Sequence, residues 1–339
     1  MIEARGLTRT FTVKSETVEA VRGIDLDVRE GEMVAVLGPN GAGKSTTLRM
    51  LTTLLRPTSG TARVVGHDVV DDPAGVRRSI GYIGQGTSAG QTQKVQDELV
   101  AQGRSYGMSR RDAVRRGAQL LDALDLGGLG GRMVSTLSGG QRRRLDVAIG
   151  MVHRPALLFL DEPSTGLDPQ NRANLQEQIE RLRADHGTTI VLTTHYLEEA
   201  DAMADRVVVV DHGRVIADDT AERLKGDLAG DHLVISVADR TDAPAVASAL
   251  DRTGAAQHHA VDGPRISARV REGSALVPGL LRDLDHAGVV VTGVEVARPT
   301  LDDVFLALTG RSLREGVDPA APAADADGPT SGVAEAVAA

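Results

Sequence analysis

The apolar positions of the first 30 residues fall in short β-branched runs. Ile2 to Leu7, Thr17 to Val21 and Ile24 to Val28 alternate in part and are separated by turn residues, which predicts short strands. Gly31-Glu32 then turns the chain into Met33 to Leu37, an unbroken apolar run that reads as a buried strand. A glycine-rich loop follows, then a helical stretch from Lys44 to about Leu55, closed by Pro57 and Gly60. Residues 95–135 change character: Val95 to Tyr106 and Arg111 to Leu124 read as helices ahead of a glycine-rich break at Gly127 to Gly131. Strand patterns return at Ala156 to Asp161, Thr189 to Thr194 and Arg206 to Val210, with helical stretches between them. Asp168-Pro169 sets a capping residue and a proline where a helix should begin. Asp211-His212-Gly213 turns Val207 to Val210 back on Arg214 to Ala217 as a hairpin. Strands alternating with helices predict an α/β core with a largely parallel sheet.

A boundary is expected near Lys225 to Asp231. Beyond it, His232 to Val237 reads as strand, Ala243 to Arg252 as helix, and Gln257 to Val261 with Arg265 to Val270 as a strand pair. Leu276 to His286 reads as helix and Val289 to Val296 as strand, so the order is β-α-β-β-α-β, a split βαβ or ferredoxin-like arrangement. Leu301 to Leu308 adds a closing helix. From Arg311 to the end, nine of 29 residues are alanine, with Pro, Gly and Asp filling much of the rest. Such a segment cannot bury enough apolar surface to order itself, which predicts a disordered tail over 311–339. The expected units are therefore 1–225, with a helical insert over about 86–150, then 226–310, then the tail. The second unit is expected to brace a dimer rather than to bind a small ligand.

Composition narrows the class. Apolar residues make up 41% and charged residues 25% of the 339 residues, an ordinary balance for a soluble globular protein. Aromatics are only 2%, so the core must be built from Val, Leu, Ile and Ala. No run approaches the ~20 apolar residues of a spanning helix, and the N-terminus lacks a basic-then-apolar signal pattern. The expectation is a cytosolic chain whose membrane role runs through a partner. With no cysteine, disulfides and thiolate metal sites are excluded. A formal charge of −9 argues against nucleic-acid binding.

Only four lysines occur, and Lys44 falls at a chemically telling place. Gly38-Pro39-Asn40-Gly41-Ala42-Gly43-Lys44-Ser45 fits G-x-x-x-x-G-K-[ST], the P-loop, between a buried strand and a helix. Glycines let successive backbone N–H groups curl around a phosphate, and the helix start aims its positive end at the same anion. Lys44 supplies a point charge to the β- and γ-phosphates of ATP, and Ser45 offers an oxygen to Mg²⁺. Thr46 lies beside it as a further nucleotide contact. Leu157 to Glu162 is an apolar strand ending in two carboxylates. Asp161 is expected to hold Mg²⁺, and Glu162 to face the attacking water. His195 ends a second buried strand, where it can reach the γ-phosphate and link it to Glu162. Gln85 follows the Ile80 to Ile83 strand and is a candidate for Mg²⁺ and water. Phe11, the one aromatic among the first 80 residues, is a candidate to stack on adenine.

Leu137-Ser138-Gly139-Gly140-Gln141 resembles the signature sequence of the ABC ATPases. Gly-Gly ahead of a helix makes a second anion-binding helix start, redundant unless it serves the ATP of another chain. That is a physical reason to expect a head-to-tail homodimer with ATP at its interface. P-loop, glutamine, signature, Asp-Glu pair, Ser164-Thr165-Gly166-Leu167-Asp168 and strand-end histidine follow the family's order over residues 1–225. The resemblance implies that Ser138, Gly139, Gly140, Gln141 and Asp168 act in trans, Asp168 from a loop crossing the dimer interface. Thr194 to Ala200 looks like the family's histidine switch. Asp211 to Ala217 and Leu301 to Gly310 look like closing motifs of the daunorubicin/doxorubicin-resistance group. Such subunits pair with a separate membrane permease and power export. Gly86 to Lys94 and Asp97-Glu98-Leu99 depart from the group's usual acidic loop and Glu-Asn-Leu, in the stretch that leads into the helical subdomain, which the resemblance implies touches the permease. Other ABC ATPases fit less well: ribosome-acting types carry two cassettes, and repair types carry coiled coils or zinc-binding cysteines. An ATP-dependent regulatory module would not need Glu162.

Overall fold

The computed structural model describes residues 1–13, 16–86 and 88–312. The chain opens with β1 (Ile2–Val13), β2 (Glu16–Val28) and β3 (Met33–Leu37), which runs into α1 (Lys44–Leu51). Next come β4 (Ser59–Val64), β5 (His67–Asp68), α2 (Pro73–Ser79) and β6 (Ile80–Ile83). Helices α3 (Val95–Ser105), α4 (Arg110–Ala123) and α5 (Gly139–Met151) precede β7 (Leu157–Asp161). The nucleotide-binding half ends with α6 (Pro169–His186), β8 (Thr189–Thr194), α7 (Leu197–Met203), β9 (Arg206–Asp211), β10 (Arg214–Asp219) and α8 (Ala221–Leu224). The remainder is β11 (Asp231–Val237), α9 (Ala243–Thr253), β12 (Ala256–Asp262), β13 (Arg265–Val270), α10 (Gly273–His286), β14 (Val291–Ala297) and α11 (Leu301–Thr309).

The central sheet has the order β10-β9-β3-β8-β7-β6. It is parallel except for the β9–β10 hairpin. Every residue of β3, β7 and β8 is buried, as strands covered on both faces require. Alternation assigns the two faces. Met33, Ala35 and Leu37 meet Leu99, Leu145 and Leu175 of the helical side. Val34 and Val36 meet α1 and the antiparallel sheet β2-β1-β4-β5 through Leu48, Leu26 and Ala62. The β9–β10 turn puts His212 and Gly213 at φ 45° and 77°, the left-handed pair that matches strand twist in a two-residue hairpin.

Three sequence expectations shift. The early strands merge into one long hairpin, because Gly6 and Gly23, at φ 55° and 87°, sit beside its register shifts and carry the chain past them. Helix α1 stops at Leu51, four residues early. There Thr52 turns its hydroxyl back onto the carbonyl of Leu48, and Thr53 takes φ 63°. Pro57 and Gly60 lie beyond that stop. The third shift concerns the second unit. Its antiparallel sheet, β12-β13-β11-β14, encloses its own core around Leu233, Ile235, Leu250, Ile266 and Leu284. That strand order is the one a split βαβ unit produces. Helix α11, however, leaves it: Leu301, Val304 and Phe305 join Ala200, Met203, Leu224 and Ala229 in the core of the nucleotide-binding half. A boundary drawn at 225/226 therefore cuts through a packed cluster. The spacing i, i+3, i+4 gives α11 one apolar stripe, and the surface beside α7 and α8 is where it is buried.

The expected tail lies outside the described residues from 313 onward. Its first two residues are placed. Arg311 pairs with Asp211 at 2.8 Å, and the Ser312 hydroxyl donates to Asp302. Thr300 and Asp303 form a capping box at the start of α11. Thr300→Ala should lower stability by about 1 kcal/mol, a typical cap loss. Urea unfolding checks this, and an unchanged midpoint would mean that α11 is not docked in solution.

Candidate nucleotide-binding site

The candidate residues arrive from four neighbouring strands, each delivering one segment at its carboxyl end. Strand β3 leads to the P-loop, β6 to Gln85, β7 to Asp161 and Glu162, and β8 to His195. In open α/β sheets this edge is where ligands bind.

Close approach explains the P-loop glycines. A Cβ on Gly38 would lie 2.1 Å from the carbonyl oxygen of Val210, and one on Gly43 2.5 Å from that of Ala20. Gly41 and Gly43 also take φ 81° and 102°. Gly213 N–H donates to the Ala42 carbonyl at 2.9 Å, so the β9–β10 turn braces the loop from behind. Pro39 is half-buried, and Asn40 and Gly41 form the exposed tip. Lys44 is 4% exposed and donates to the carbonyls of Gly38 and Pro39 at 2.7 and 3.0 Å. Its Nζ stands 3.7 Å from Glu162 Oε1. Burial lowers the Lys44 pKa, and the Glu162 carboxylate opposes that. Ser45 and Thr46 follow, both half-buried.

Ser45 Oγ donates to Asp161 Oδ1 at 2.8 Å, and Thr193 Oγ1 donates to the same oxygen at 2.7 Å. The Gln85 amide lies 3.3 Å from Ser45 Oγ. These groups make an oxygen-rich corner suited to a hard cation such as Mg²⁺. Among the described residues no cluster of three His, Cys, Asp or Glu side chains forms a complete metal cage. An Mg²⁺ ion here would take its remaining ligands from phosphate and water, as that ion commonly does.

Glu162 sits at φ 48°, a left-handed conformation costing a β-carbon-bearing residue roughly 1–2 kcal/mol. Its N–H is held by the Thr193 hydroxyl at 3.0 Å. The side chain reaches His195 Nδ1 at 3.5 Å and accepts from Thr165 at 3.3 Å. His195 and then Lys44 hold the Glu162 carboxyl below the usual glutamate range, against the opposing effect of burial. It is therefore a carboxylate at neutral pH, able to accept a proton. Phe11 pairs across the hairpin with Val18, two residues from the strand segment that meets Gly43. The Arg9 guanidinium lies 4.6 Å from its ring centroid.

The signature segment stands apart from this cluster. Ser138 caps α5, accepting from Gln141 N–H at 3.2 Å, while Gln141 Oε1 accepts from Ser138 N–H at 3.0 Å. Ser138 and Gly139 are exposed and Gly140 is buried. A Cβ on Gly140 would lie 2.5 Å from Asn171 Oδ1, and Asn171 is in turn gripped by Asp168, the cap of α6. Signature and Asp168 loops are thus joined to each other. Among the described residues no hydrogen bond or ion pair joins Ser138, Gly139, Gln141 or Asp168 to Lys44 or Glu162.

The family model for the ABC transporter matches residues 21–165. Over 315 residues the chain is 45% identical to the daunorubicin/doxorubicin resistance ATP-binding protein DrrA of Streptomyces peucetius, covering 91% of this chain and 92% of that protein. The chain belongs to the ABC transporter ATP-binding proteins. This ABC ATPase is also 36% identical over 297 residues to the Nod factor export ATP-binding protein I of Cupriavidus pinatubonensis, covering 87% of each. A solved ATP-binding subunit of an ABC transporter superposes with a TM-score of 0.59 at 28% identity, over 66% of this chain and 92% of that one. The protein binds ATP, and its chemistry is ATP hydrolysis coupled to transport. Proteins of this family dimerise as cassettes and work with separate membrane permease chains.

Sequence reasoning missed two groups that build the ATPase site. Thr193 is the hydroxyl between Asp161 and Glu162, and its only signal was a polar residue inside a buried run. Arg143, the middle residue of an Arg-Arg-Arg run, is buried. It donates to the carbonyls of Pro163 and Gly84, both at 2.7 Å, and to that of Asp161 at 3.3 Å. One side chain thereby ties α5 to the segments carrying Gln85 and Glu162.

Glu199 supplies a pH prediction. It is 1% exposed, accepts from Ser164 of the Asp168 loop, and has an unpartnered Oε2 among the described residues. Burial raises its pKa above the ordinary glutamate value, with the Ser164 bond opposing. Across the window from about 4.5 up to that raised value the folded chain binds more protons than the unfolded one, so this group's contribution to stability falls as pH rises. Glu199→Gln should remove that slope. Urea midpoints from pH 4.5 to 7.5 test it, and an identical slope in the variant would refute the assignment.

Proposed function

We propose that two copies of this ABC ATPase close head to tail on two ATP molecules, and that the cycle drives export of a substrate, a hydrophobic drug or antibiotic, through a separate membrane permease. What carries the reading is the separation within one chain of two helix starts fit for phosphate, at Lys44 and at Gly139. In this reading the protein works at the cytoplasmic face of the membrane, against the permease that it drives. Among the described residues no helix is long and apolar enough to cross a membrane. The named resistance and export relatives support the direction and the cargo class.

In the proposed cycle the backbone of residues 38–45, with Thr46, wraps the β- and γ-phosphates. Lys44 Nζ leaves the Gly38 and Pro39 carbonyls and Glu162 for a γ-phosphate oxygen. Ser45, Asp161 and Gln85 would hold Mg²⁺, which supplies charge neutralisation at the phosphate oxygens. Freed of Lys44, Glu162 accepts a proton from water as the water oxygen bonds to the γ-phosphorus and the bond to ADP breaks. His195 orients Glu162 and donates toward the γ-phosphate. Phe11 stacks on adenine with the face that Arg9 leaves open. Ser138, Gly139, Gly140 and Gln141 of the opposing copy close on the γ-phosphate, and its Asp168 loop crosses the interface. Positioning and charge stabilisation are the main levers in this chemistry. ATP closes the dimer only because it binds the closed state more tightly.

Mixing inactive variants tests the sandwich. Lys44→Ala and Ser138→Arg should each hydrolyse no ATP alone. Combined, they rebuild one site, from the P-loop of one protein and the signature of the other, and turnover should return. A mixture as inactive as its components would reject the head-to-tail dimer.

A further inference from the structure

At the other end of the central sheet lies a hollow of about 580 Å³. Pro155 and Thr188, just ahead of β7 and β8, line it, so it opens at the amino ends of the parallel strands, opposite Asp161 and His195. Leu120 of α4, Met151 of α5 and Leu182 of α6 close its floor, each 3% exposed or less, and Ala123 is exposed at its edge. Arg116, Arg154 and His186 bring basic groups to the same space. Among the described residues that line it, the only acidic one is Asp185.

Arg116 is the unusual member. It is 5% exposed, and among the described residues its Nε has no hydrogen-bond partner. Its Nη2 donates to the Met151 carbonyl at 3.3 Å, and Nη1 lies 3.4 Å from His186 Nε2. No ion pair to a carboxylate compensates it among the described residues. Burial, and then the neighbouring Arg154 cation, lower its pKa. A buried charge is costly unless paired, so an uncompensated guanidinium at a cavity wall is itself an observation that points to a ligand. Arg116, Gln119 and Arg154 also line a smaller adjoining hollow of about 330 Å³.

We propose that this hollow binds a small organic anion, with Arg116 and Arg154 meeting its oxyanion group and its apolar part lying against Ala123 over the floor of Leu120, Met151 and Leu182. The guanidinium fork matches the oxygens of a carboxylate or a phosphate. The volume lies within the range of roughly 300–1,000 Å³ common to small-molecule sites. The site is separate from the ATP site and needs no second copy of the chain.

Isothermal titration of the full-length protein, with ADP saturating the nucleotide site, tests the proposal with two probes. Octanoate carries both an oxyanion and an apolar chain, and inorganic phosphate carries the oxyanion alone. Octanoate should bind saturably at one site, and more tightly than phosphate. Its affinity should fall by about tenfold or more in Arg116→Gln and in Arg154→Asn, as loss of a charge-assisted hydrogen bond implies. Arg154 is exposed and sits at φ 56°, a conformation Asn tolerates, so that variant keeps the test valid should Arg116→Gln fail to fold. No saturable octanoate binding, or binding unchanged in Arg154→Asn, would overturn the proposal and leave Arg116 as a clamp between the ends of α5 and α6. Phosphate binding that Arg154→Asn weakens, and that is as tight as octanoate binding, would overturn the apolar half of it.

Discussion

Replacing Glu162 by Gln should cut ATP turnover by about 10²–10⁴-fold, the usual worth of a positioned general base. ATP binding should survive, because Lys44, Ser45 and the loop backbone are untouched. The change is nearly isosteric, so the left-handed backbone at Glu162 and its N–H bond to Thr193 should persist. It removes the negative charge that now faces Lys44 at 3.7 Å, and the lysine becomes freer to hold a γ-phosphate. Closed dimer should therefore accumulate with ATP, seen as a shift to larger size in gel filtration. Phosphate release at the parental rate would remove Glu162 from the chemistry. The parental enzyme adds a pH test. In the nucleotide-free protein His195, and then Lys44, hold the Glu162 carboxyl below its usual range, so acidification should lower the urea midpoint of the nucleotide-free parent more than that of Glu162→Gln, and equal losses would refute the assignment. The stability from those contacts is present above the ordinary glutamate value and is lost as pH drops through the lowered one.

Arg143→Ala should destabilise the protein by about 3–5 kcal/mol, the cost of removing one partner of a buried ion pair. Asp146 is fully buried 3.9 Å from Arg143, and burial already raises its pKa. Without Arg143 the carbonyls of Gly84 and Pro163 also lose their side-chain donor. Urea unfolding measures the first effect. Turnover of the fraction that remains folded measures the second. It should fall, because Gln85 and Glu162 are no longer fixed relative to α5. Normal turnover with lowered stability would show that Arg143 supports the fold but not the site.

The chemistry-bearing residues were legible because their constraints are local. A P-loop needs its glycines and its lysine within eight consecutive positions, and a strand-end carboxylate follows directly from an apolar run. The Asp168 cap and the split βαβ order were legible for the same reason, since caps and period-2 alternation act over a few residues. Thr193 and Arg143 were not, because each acts on groups far away in sequence: Thr193 on Asp161, and Arg143 on Gly84 and Pro163. A triple arginine looks alike whether the middle one faces solvent or a carbonyl cage. Helix α1 ended early through a hydroxyl folding back on its own turn, a choice that threonine leaves open.

By itself the amino-acid order determined which segments become strands and helices around the site, and which side chains are candidates for phosphate chemistry, because hydrophobic period and loop backbone demands are written over short stretches. Only the tertiary structure decided that α11 returns to the nucleotide-binding core, that the signature and Asp168 loops lean on each other through Asn171, and that Arg116 is buried with no carboxylate paired to it among the described residues. Each of those depends on which faces meet in space, and the pairing of distant faces is set by packing the whole chain at once.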